Sequence, residues 1–253
     1  MKNIDYRGWI IPLVLLIAWT AAAAWKWVDP ALLPAPKEVG KVLLESAQSG
    51  ELYENVIASL LRNTAGFIAG GVIGAGFGLL LGLNVWLDRF FSPTLNAIKH
   101  VAVFAWIPLM IMWFGHGEVS KVIFISLVVF YPVFFNTYDG VRNVPVKVKE
   151  VAQIFQLSPL QTFFKVILPA AAPSIFAGLN IALVFSWVAT VGAEYFFVSA
   201  VGVVNPIMDG QNLFKMEVVL YGMLIIGAVG LVFSKAAQFF EQYNLRWRQA
   251  AQK

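Results

Sequence analysis

Apolar and polar positions follow one another in long blocks along this chain rather than in the short period of an amphipathic helix or strand. Six apolar runs are predicted to be membrane spans, at residues 9–28, 63–83, 97–114, 122–138, 174–199 and 218–240. About 20 predominantly apolar residues suffice for a helix to cross the hydrocarbon core of a bilayer. The pattern therefore predicts an all-α integral membrane protein with six transmembrane helices.

The longest polar interval, residues 29–62, predicts a loop and an amphipathic helix that lie on one membrane face. The pattern divides the chain into three regions. Residues 1–62 contain the first span and this external segment, residues 63–240 form the transmembrane core, and residues 241–253 form a basic tail. The first run also resembles a signal peptide, since a basic start precedes it and small residues end it. Bulky Trp19 and Trp25 near those small residues favour an uncleaved helix.

Glycine recurs every fourth residue in the second predicted span. The repeat consists of Gly66, Gly70, Gly74, Gly78 and Gly82. In lipid, small residues allow helix backbones to approach closely and gain packing contacts. We therefore expect this helix to pack tightly against a neighbour. A phosphate-binding glycine loop is the competing interpretation, but no Gly-Lys-Ser/Thr follows the glycines, so the chain is not expected to bind ATP through a loop of its own.

Composition excludes several other classes of protein. The chain is 59% hydrophobic and 13% charged, which is typical of a membrane protein, and it contains no cysteine and two histidines. Neither thiolate chemistry nor a metal site is expected. The net charge of +4 is spread among loops without interleaved aromatic residues, so nucleic acid is not an expected partner. A membrane-embedded enzyme would need a nucleophile and base on facing helices, and the pattern predicts no such pair.

The basic residues predict the orientation of the spans. With six spans and an internal N-terminus, 12 of the 18 lysines and arginines lie in internal segments. Basic residues accumulate in cytoplasmic loops. We therefore expect a multi-pass membrane protein with both termini and the segment 149–169 in the cytoplasm.

A charged segment, residues 149–169, lies between the fourth and the fifth predicted spans. Ser158 followed by Pro159 has the pattern of a helix N-cap with proline at the first helical position, so two short helices at an angle are predicted. Their apolar residues exceed what so short a segment can bury against itself. The segment is therefore predicted to be a docking surface for a second protein.

The same segment resembles the cytoplasmic coupling loop of ABC importer permeases, whose pattern is E-A-A-x3-G-x9-I-x-L-P. Glu150-Val151-Ala152 and Val166-Ile167-Leu168-Pro169 match it, with Val151 in place of the first alanine and Gln156 in place of the glycine. The resemblance implies that an ATPase subunit binds here. The implied contact residues are Glu150, Val151, Ala152, Phe155, Gln156, Leu157, Ser158 and Pro159.

Further motifs, in a shared order along most of the chain, resemble permease subunits of the nitrate/sulfonate/taurine-type ABC importers. They are Leu33-Pro34-x-Pro36, Ser49-Gly50-Glu51-Leu52, Ser59-Leu60-x-Arg62-x3-Gly66-Phe67, Ile107-Pro108-Leu109, Trp113-Phe114-Gly115, Asn136-Thr137, Gly140-Val141-Arg142-Asn143 and Ala193-Glu194. This family implies a type I importer of the bacterial inner membrane for a small anion. The implied assembly contains a second copy of the chain, two ATPase subunits that hold ATP and Mg, and a periplasmic solute-binding protein. The chain itself is then not an enzyme and binds no cofactor.

Residues that could line a translocation path or form a gate are Trp106, Trp113, Asn136, Thr137, Trp187 and Glu194. An acid inside the membrane is costly and commonly functional. The alternative for Glu194 is an interfacial residue that pairs with another loop. At the level of function, a self-sufficient secondary transporter or channel remains the alternative, although the six predicted spans show no clear inverted repeat.

Overall fold

The computed structural model describes residues 7–25 and 27–244, which contain helices and no strand. The helices are α1 (Arg7–Ala24), α2 (Pro36–Ser49), α3 (Glu51–Leu83), α4 (Val85–Ile98), α5 (Ile107–Phe114), α6 (Glu118–Arg142), α7 (Val146–Ile154), α8 (Pro159–Thr162), α9 (Leu168–Phe196), α10 (Asn205–Asn212) and α11 (Met216–Asn244). A 3₁₀ turn, Val103–Trp106, precedes α5, and a π-helical turn, Phe163–Ile167, joins α8 to α9. The predicted basic tail lies outside the described residues from 245 onward.

Four helical stretches among the described residues are long and apolar enough to cross a membrane. They are Glu51–Leu83, Glu118–Arg142, Pro159–Phe196 and Met216–Phe239. Helix α4 and the stretch Val103–Phe114 pass the same criterion together, but they meet at an angle of 93°. The prediction of one continuous span over 97–114 is therefore wrong, because the break between the two helices falls inside it. The apolar part of α1, Ile10–Ala24, is shorter than the four stretches.

Helix α3 is 33 residues long and begins at Glu51, twelve residues before the predicted second span. Gly50 ends α2 in the left-handed conformation, with φ of 85°, and acidic Glu51 and Glu54 lie in the first turn of α3, where the helix dipole favours them. The helix passes through the predicted boundary between residues 62 and 63, and α11 passes through the one between 240 and 241. Polar side chains of α3 that suggested a loop are instead buried, as Asn55 and Ser59 show.

The described chain divides into two compact units. The first contains the residues up to 58 together with 199–228, and the second contains 59–198 together with the residues from 229 onward. Within the first unit, the hydroxyl of Tyr221 donates to Ser46 Oγ at 2.7 Å, and the backbone N–H of Gly202 donates to Asn55 Oδ1 at 2.9 Å. These bonds attach α2 to the start of α11, and the loop before α10 to the first turns of α3.

The glycine stripe of α3 lies against α6 inside the second unit. A Cβ at Gly70 would lie 2.3 Å from the carbonyl oxygen of Ser126, and one at Gly82 would lie 2.8 Å from Val141 Cβ. The first contact of the stripe pairs Gly66 with Ile125. From first to last contact each helix therefore advances 16 residues, so the two run parallel and touch over about 24 Å.

Helix α9 packs on α6 in the opposite direction. A Cβ at Gly178 would lie 2.6 Å from Asn136 Cβ, and one at Gly140 would lie 2.7 Å from Ser174 Cβ. Helix α6 is consequently the central helix of the unit, and its apolar side chains form the core. The fully buried members of the core on this helix are Phe124, Ile125, Val129 and Val133.

Candidate functional site

Helix α7 ends in a tight turn at Gln156, the position where the loop pattern that this segment resembles has glycine. The N–H of Leu157 donates to the carbonyl of Ala152 at 3.1 Å, and the N–H of Gln156 donates to that of Gln153 at 2.9 Å. This pair of bonds is a Schellman motif, in which the residue after the C-cap adopts the left-handed conformation. Gln156 has φ of 50°. The expected tight turn is therefore present, and a residue with a Cβ occupies its glycine position.

Ser158 begins the next helix as an N-cap. Its Oγ accepts from the N–H of Gln161 at 3.3 Å, while Gln161 Oε1 accepts from the N–H of Ser158 at 3.0 Å. Pro159 follows at the first helical position. The predicted second short helix is not a separate element, because Pro159–Phe196 is helical throughout and includes one π turn. Only α7 is a short helix of the kind expected.

Large apolar side chains are exposed on this segment. Phe155 is 72% exposed and Ile154 is 77% exposed. The other exposed apolar residues of the segment are Val151, Leu160 and Phe164. Of the remaining predicted contact residues, Glu150, Gln156, Ser158 and Pro159 are exposed and Leu157 is half-buried. Ala152 is buried, so it holds α7 against its own chain rather than facing outward.

The C-terminal end of α6, which leads into α7, is attached to α4 by polar contacts. Asp88 accepts a hydrogen bond from the Tyr138 hydroxyl at 2.7 Å and forms an ion pair with Arg142. Asn84 caps α4 by accepting from the N–H of Trp86 at 2.9 Å. The segment with the exposed apolar residues therefore begins beside an anchored helix end.

A charge cluster lies at the opposite end of α6. It consists of Arg62, Glu118, Lys121 and Glu194, from α3, α6 and α9. Arg62 donates from Nη1 to Glu194 Oε1 at 2.7 Å. Its Nε and Nη2 donate to the two carboxylate oxygens of Glu118, the bond from Nη2 at 3.1 Å. Lys121 Nζ donates to Glu118 Oε1 at 2.9 Å. Helix α6, with 25 residues, separates this cluster from α7 by about 36 Å.

Burial differs sharply within the charge cluster. Glu194 is fully buried, Lys121 is 2% exposed and Arg62 is 9% exposed, whereas the Glu118 side chain is 60% exposed. Ser59 Oγ donates to Glu194 Oε1 at 2.5 Å. A buried carboxylate needs such partners, because an isolated charge in a low-dielectric interior is strongly unfavourable. Glu194 is thus paired with Ser59 and Arg62 of helix α3, and not with a residue of a loop as considered from the sequence.

Neutral polar side chains extend the contact between α3 and α9 beside the charge cluster. Asn63 Nδ2 donates to Ser186 Oγ and to Thr190 Oγ1, both at 3.0 Å. Sequence reasoning missed this contact and the charge cluster. The available signal was the placement of charged and amide side chains at the edges of apolar runs, together with the four-residue spacing of Ser186 and Thr190.

The other predicted path residues lie at different places in the second unit. Asn136 Nδ2 donates to the carbonyl oxygen of Pro132 at 2.8 Å. Trp187 is buried and stacks on Phe233, with ring centroids 5.2 Å apart. Trp113 is exposed. The structure therefore does not bring the set into one site.

Two predicted path residues have buried polar atoms without a hydrogen-bond partner within residues 7–25 and 27–244. These atoms are the indole nitrogen of Trp106 and the hydroxyl oxygen of Thr137. The side chain of Thr137 faces Gly78, where a Cβ would lie 2.7 Å from Thr137 Cβ. In the described part of the chain, no three His, Asp or Glu side chains are grouped to hold a metal ion.

Long apolar helices and one sharply bent helix pair define an integral membrane protein. The chain belongs to the family described as binding-protein-dependent transport system inner membrane component, whose model matches residues 70–247.

Two relatives and one solved structure illustrate the similarity. The putative aliphatic sulfonates transport permease protein SsuC of Bacillus subtilis is 34% identical over 242 residues, which cover 96% of this chain and 87% of that protein. The nitrate import permease protein NrtB of Leptolyngbya laminosa is 32% identical over 188 residues, or 74% of this chain and 67% of that one. The fold matches an inward-facing MetNI methionine ABC transporter with a TM-score of 0.65 at 17% identity, covering 78% of this chain and 98% of the other.

Proposed function

We propose that this chain is the membrane-spanning permease subunit of an ATP-driven importer for a small anionic solute. Two copies assemble with two ATPase subunits, which hold ATP and Mg, and with an external solute-binding protein. The family description and the relatives named for sulfonates and nitrate support this assignment. The class of solute is an oxyanion, because both relatives are named for compounds of that chemistry.

The observation that carries the proposal is the exposed apolar surface formed by α7 and α8. The part of this surface on α7 lies outside the four candidate spans, and exposed apolar surface of this kind marks a site of protein interaction. Phe155 and Ile154 are its most exposed members. This surface binds the ATPase subunit, and the ordered turn at Gln156 holds α7 in the orientation that the partner recognises.

Co-purification of the permease with its ATPase subunit tests the docking surface. We expect Phe155→Ala to reduce the bound ATPase at least about 10-fold, because truncation of a buried aromatic contact commonly costs 2 kcal/mol or more at an interface. Phe214→Ala is the matched control, since Phe214 is also exposed but lies far along the chain, after α10. It should bind the ATPase as the unchanged protein does.

A charge reversal at the start of the same surface provides a second test. Glu150→Arg should weaken the complex, and an ATPase complex of unchanged stoichiometry in both Glu150→Arg and Phe155→Ala would refute this docking site. Uptake by the purified chain alone, driven by an ion gradient without ATPase, would refute the importer assignment itself. The mass of the detergent-solubilised complex tests for two permease copies.

Single-cysteine labelling tests the proposed six spans with cytoplasmic termini. The chain contains no cysteine, so each introduced thiol is the only target. Phe155→Cys should react with an impermeant maleimide only in inside-out vesicles, and Phe214→Cys only in right-side-out cells. The opposite pattern would overturn the orientation. In this orientation the charge cluster lies at the outer membrane face.

Two buried polar atoms mark the translocation path in this proposal. Thr137 and Trp106 are its best candidates, because each has a buried polar atom without a partner in the described part of the chain. Such atoms are costly unless another molecule satisfies them. Glu194 acts in the proposal as a structural or gating residue, because its negative charge would repel an anionic solute. Trp113, Asn136 and Trp187 remain predictions as path residues.

A further inference from the structure

The two carboxylates that bind Arg62 are held in different ways. Glu194 is fully buried and receives hydrogen bonds from both Ser59 and Arg62. The Glu118 side chain is 60% exposed. It binds the other edge of the guanidinium in a bidentate arrangement, in which Nε and Nη2 donate to its two carboxylate oxygens. Glu194 therefore fixes the arginine in place, and Glu118 can rotate into solvent without moving a helix.

Rotation of Glu118 would leave two cations facing solvent with one fixed buried anion. Lys121 Nζ lies 2.9 Å from Glu118 Oε1, so the ammonium and the guanidinium fork converge on one carboxylate. Among the ion pairs described above, the vacated position then has two cationic donors, Arg62 and Lys121, and one fixed anion, Glu194. Glu118 is also the first residue of α6, where the helix dipole favours an anion.

The chemistry of the vacated position matches a small oxyanion. A guanidinium fork binds planar oxygen pairs through two parallel hydrogen bonds, which carboxylate, nitrate and one edge of a sulfonate all present. We propose that Arg62 and Lys121 form an oxyanion-binding site and that the Glu118 carboxylate occupies it here as a tethered competitor. The proposal rests on the proposed import of a small anion, for which this site would be the first contact on the permease.

A tethered competitor lowers the apparent affinity by the fraction of time that the site is open. If Glu118 vacates the fork about 1–10% of the time, an external anion binds about 10–100-fold more weakly than it would to the open site. Such weak binding suits an entry site, which must release the anion. Loss of the carboxylate charge should restore the intrinsic affinity.

The test measures anion binding by the purified full-length chain in nanodiscs, without ATPase or transport. Thermal unfolding is followed at increasing nitrate or ethanesulfonate and constant ionic strength, with chloride as the balancing anion. We expect Glu118→Gln to bind both anions about 10–100-fold more tightly than the unchanged protein. Asp139→Asn is the matched control, because it removes one exposed carboxylate from the same helix, and it should bind as the unchanged protein does.

Variants of the two cations complete the test. Lys121→Gln, placed in the Glu118→Gln background, should weaken binding at least about 10-fold, and Arg62→Lys in that background should abolish the difference between oxyanions and chloride. Because Arg62→Lys also disturbs Glu194, the folding of this variant is checked first. If Arg62→Lys does not fold, the result for Lys121→Gln decides whether the cations bind the anion. Equal affinity in Glu118→Gln, Asp139→Asn and the unchanged protein would overturn the proposal.

The outcome is separable from that of the proposed function. Failure of the unchanged chain to bind an ATPase subunit would refute the importer assignment and leave these affinities unaffected. Conversely, ATP-driven uptake with no tightening of anion binding in Glu118→Gln would leave the importer in place and remove the oxyanion site. In that case the charge cluster serves only to hold α3, α6 and α9 together.

Discussion

The contact between α3 and α6 depends on a missing side chain at Gly70. A Cβ there would lie 2.3 Å from the Ser126 carbonyl oxygen and 2.9 Å from its carbonyl carbon and Cα. An ordinary contact needs a separation about 1 Å larger, and the obstacle is backbone rather than a flexible side chain. Gly70→Ala must therefore separate the two helices locally, which should lower the free energy of unfolding by about 1–3 kcal/mol.

Gly76 provides a matched control on the same helix. A Cβ at this position meets nothing within 4 Å in the described part of the chain. Gly76→Ala therefore adds no clash, and the loss of glycine's backbone freedom should raise the free energy of unfolding by up to about 1 kcal/mol. The two glycine-to-alanine changes differ only in the face of α3 that they modify, and they are expected to act with opposite sign.

Thermal unfolding of the purified chain in one detergent measures the difference. For a domain of this size, 1 kcal/mol corresponds to about 2–4 °C in Tm, so the two variants should differ by at least about 2 °C. Gly70→Ala should melt below the unchanged protein and Gly76→Ala at or above it. Equal melting temperatures for the two variants would refute the close approach of α3 and α6.

Other predictions concern conformation and buried charge. Gln156→Gly should raise the free energy of unfolding by about 1 kcal/mol, because it relieves the left-handed conformation, while Gln153→Gly inside α7 should lower it by about the same amount. Stability that falls in both variants would contradict the assigned turn. Glu194→Ala should cost about 3 kcal/mol, because Arg62 loses a buried partner, and Glu194→Gln should cost less since it keeps an acceptor. Denaturant titration in mixed micelles measures both losses, and equal losses would argue against a charge effect.

Much of the structure of the segment 149–169 was predictable because it depends on residues close along the chain. Ser158, Pro159 and Gln161 lie within four residues of one another, and capping depends on those neighbours alone. The resemblance indicated a tight turn at Gln156. The physical reason for the turn is the pair of hydrogen bonds that Leu157 and Gln156 donate to the preceding turn of α7, and these are visible only in the structure. The predicted second short helix was wrong because the helix continues through a π turn into α9.

The start of α3 and the break before α5 show where periodicity misleads. Residues 51–62 are polar enough to suggest a loop, but Ser59 and Arg62 bond to partners on other helices, which makes a buried polar helix face favourable. In the third predicted span, apolar composition is continuous through the bend of 93°. Composition measures the free energy of transfer into lipid, which is similar for a straight helix and for a bent pair.

The amino-acid sequence by itself determined the membrane class, four of the apolar spans, the glycine stripe and the cap at Ser158, because burial in lipid and capping act between residues that are close along the chain. Tertiary structure alone decided which helix receives the stripe and that Arg62 meets Glu118 and Glu194, which are 56 and 132 residues away. The energy of an ion pair depends on distance in space and on desolvation, and both quantities exist only once the helices have packed.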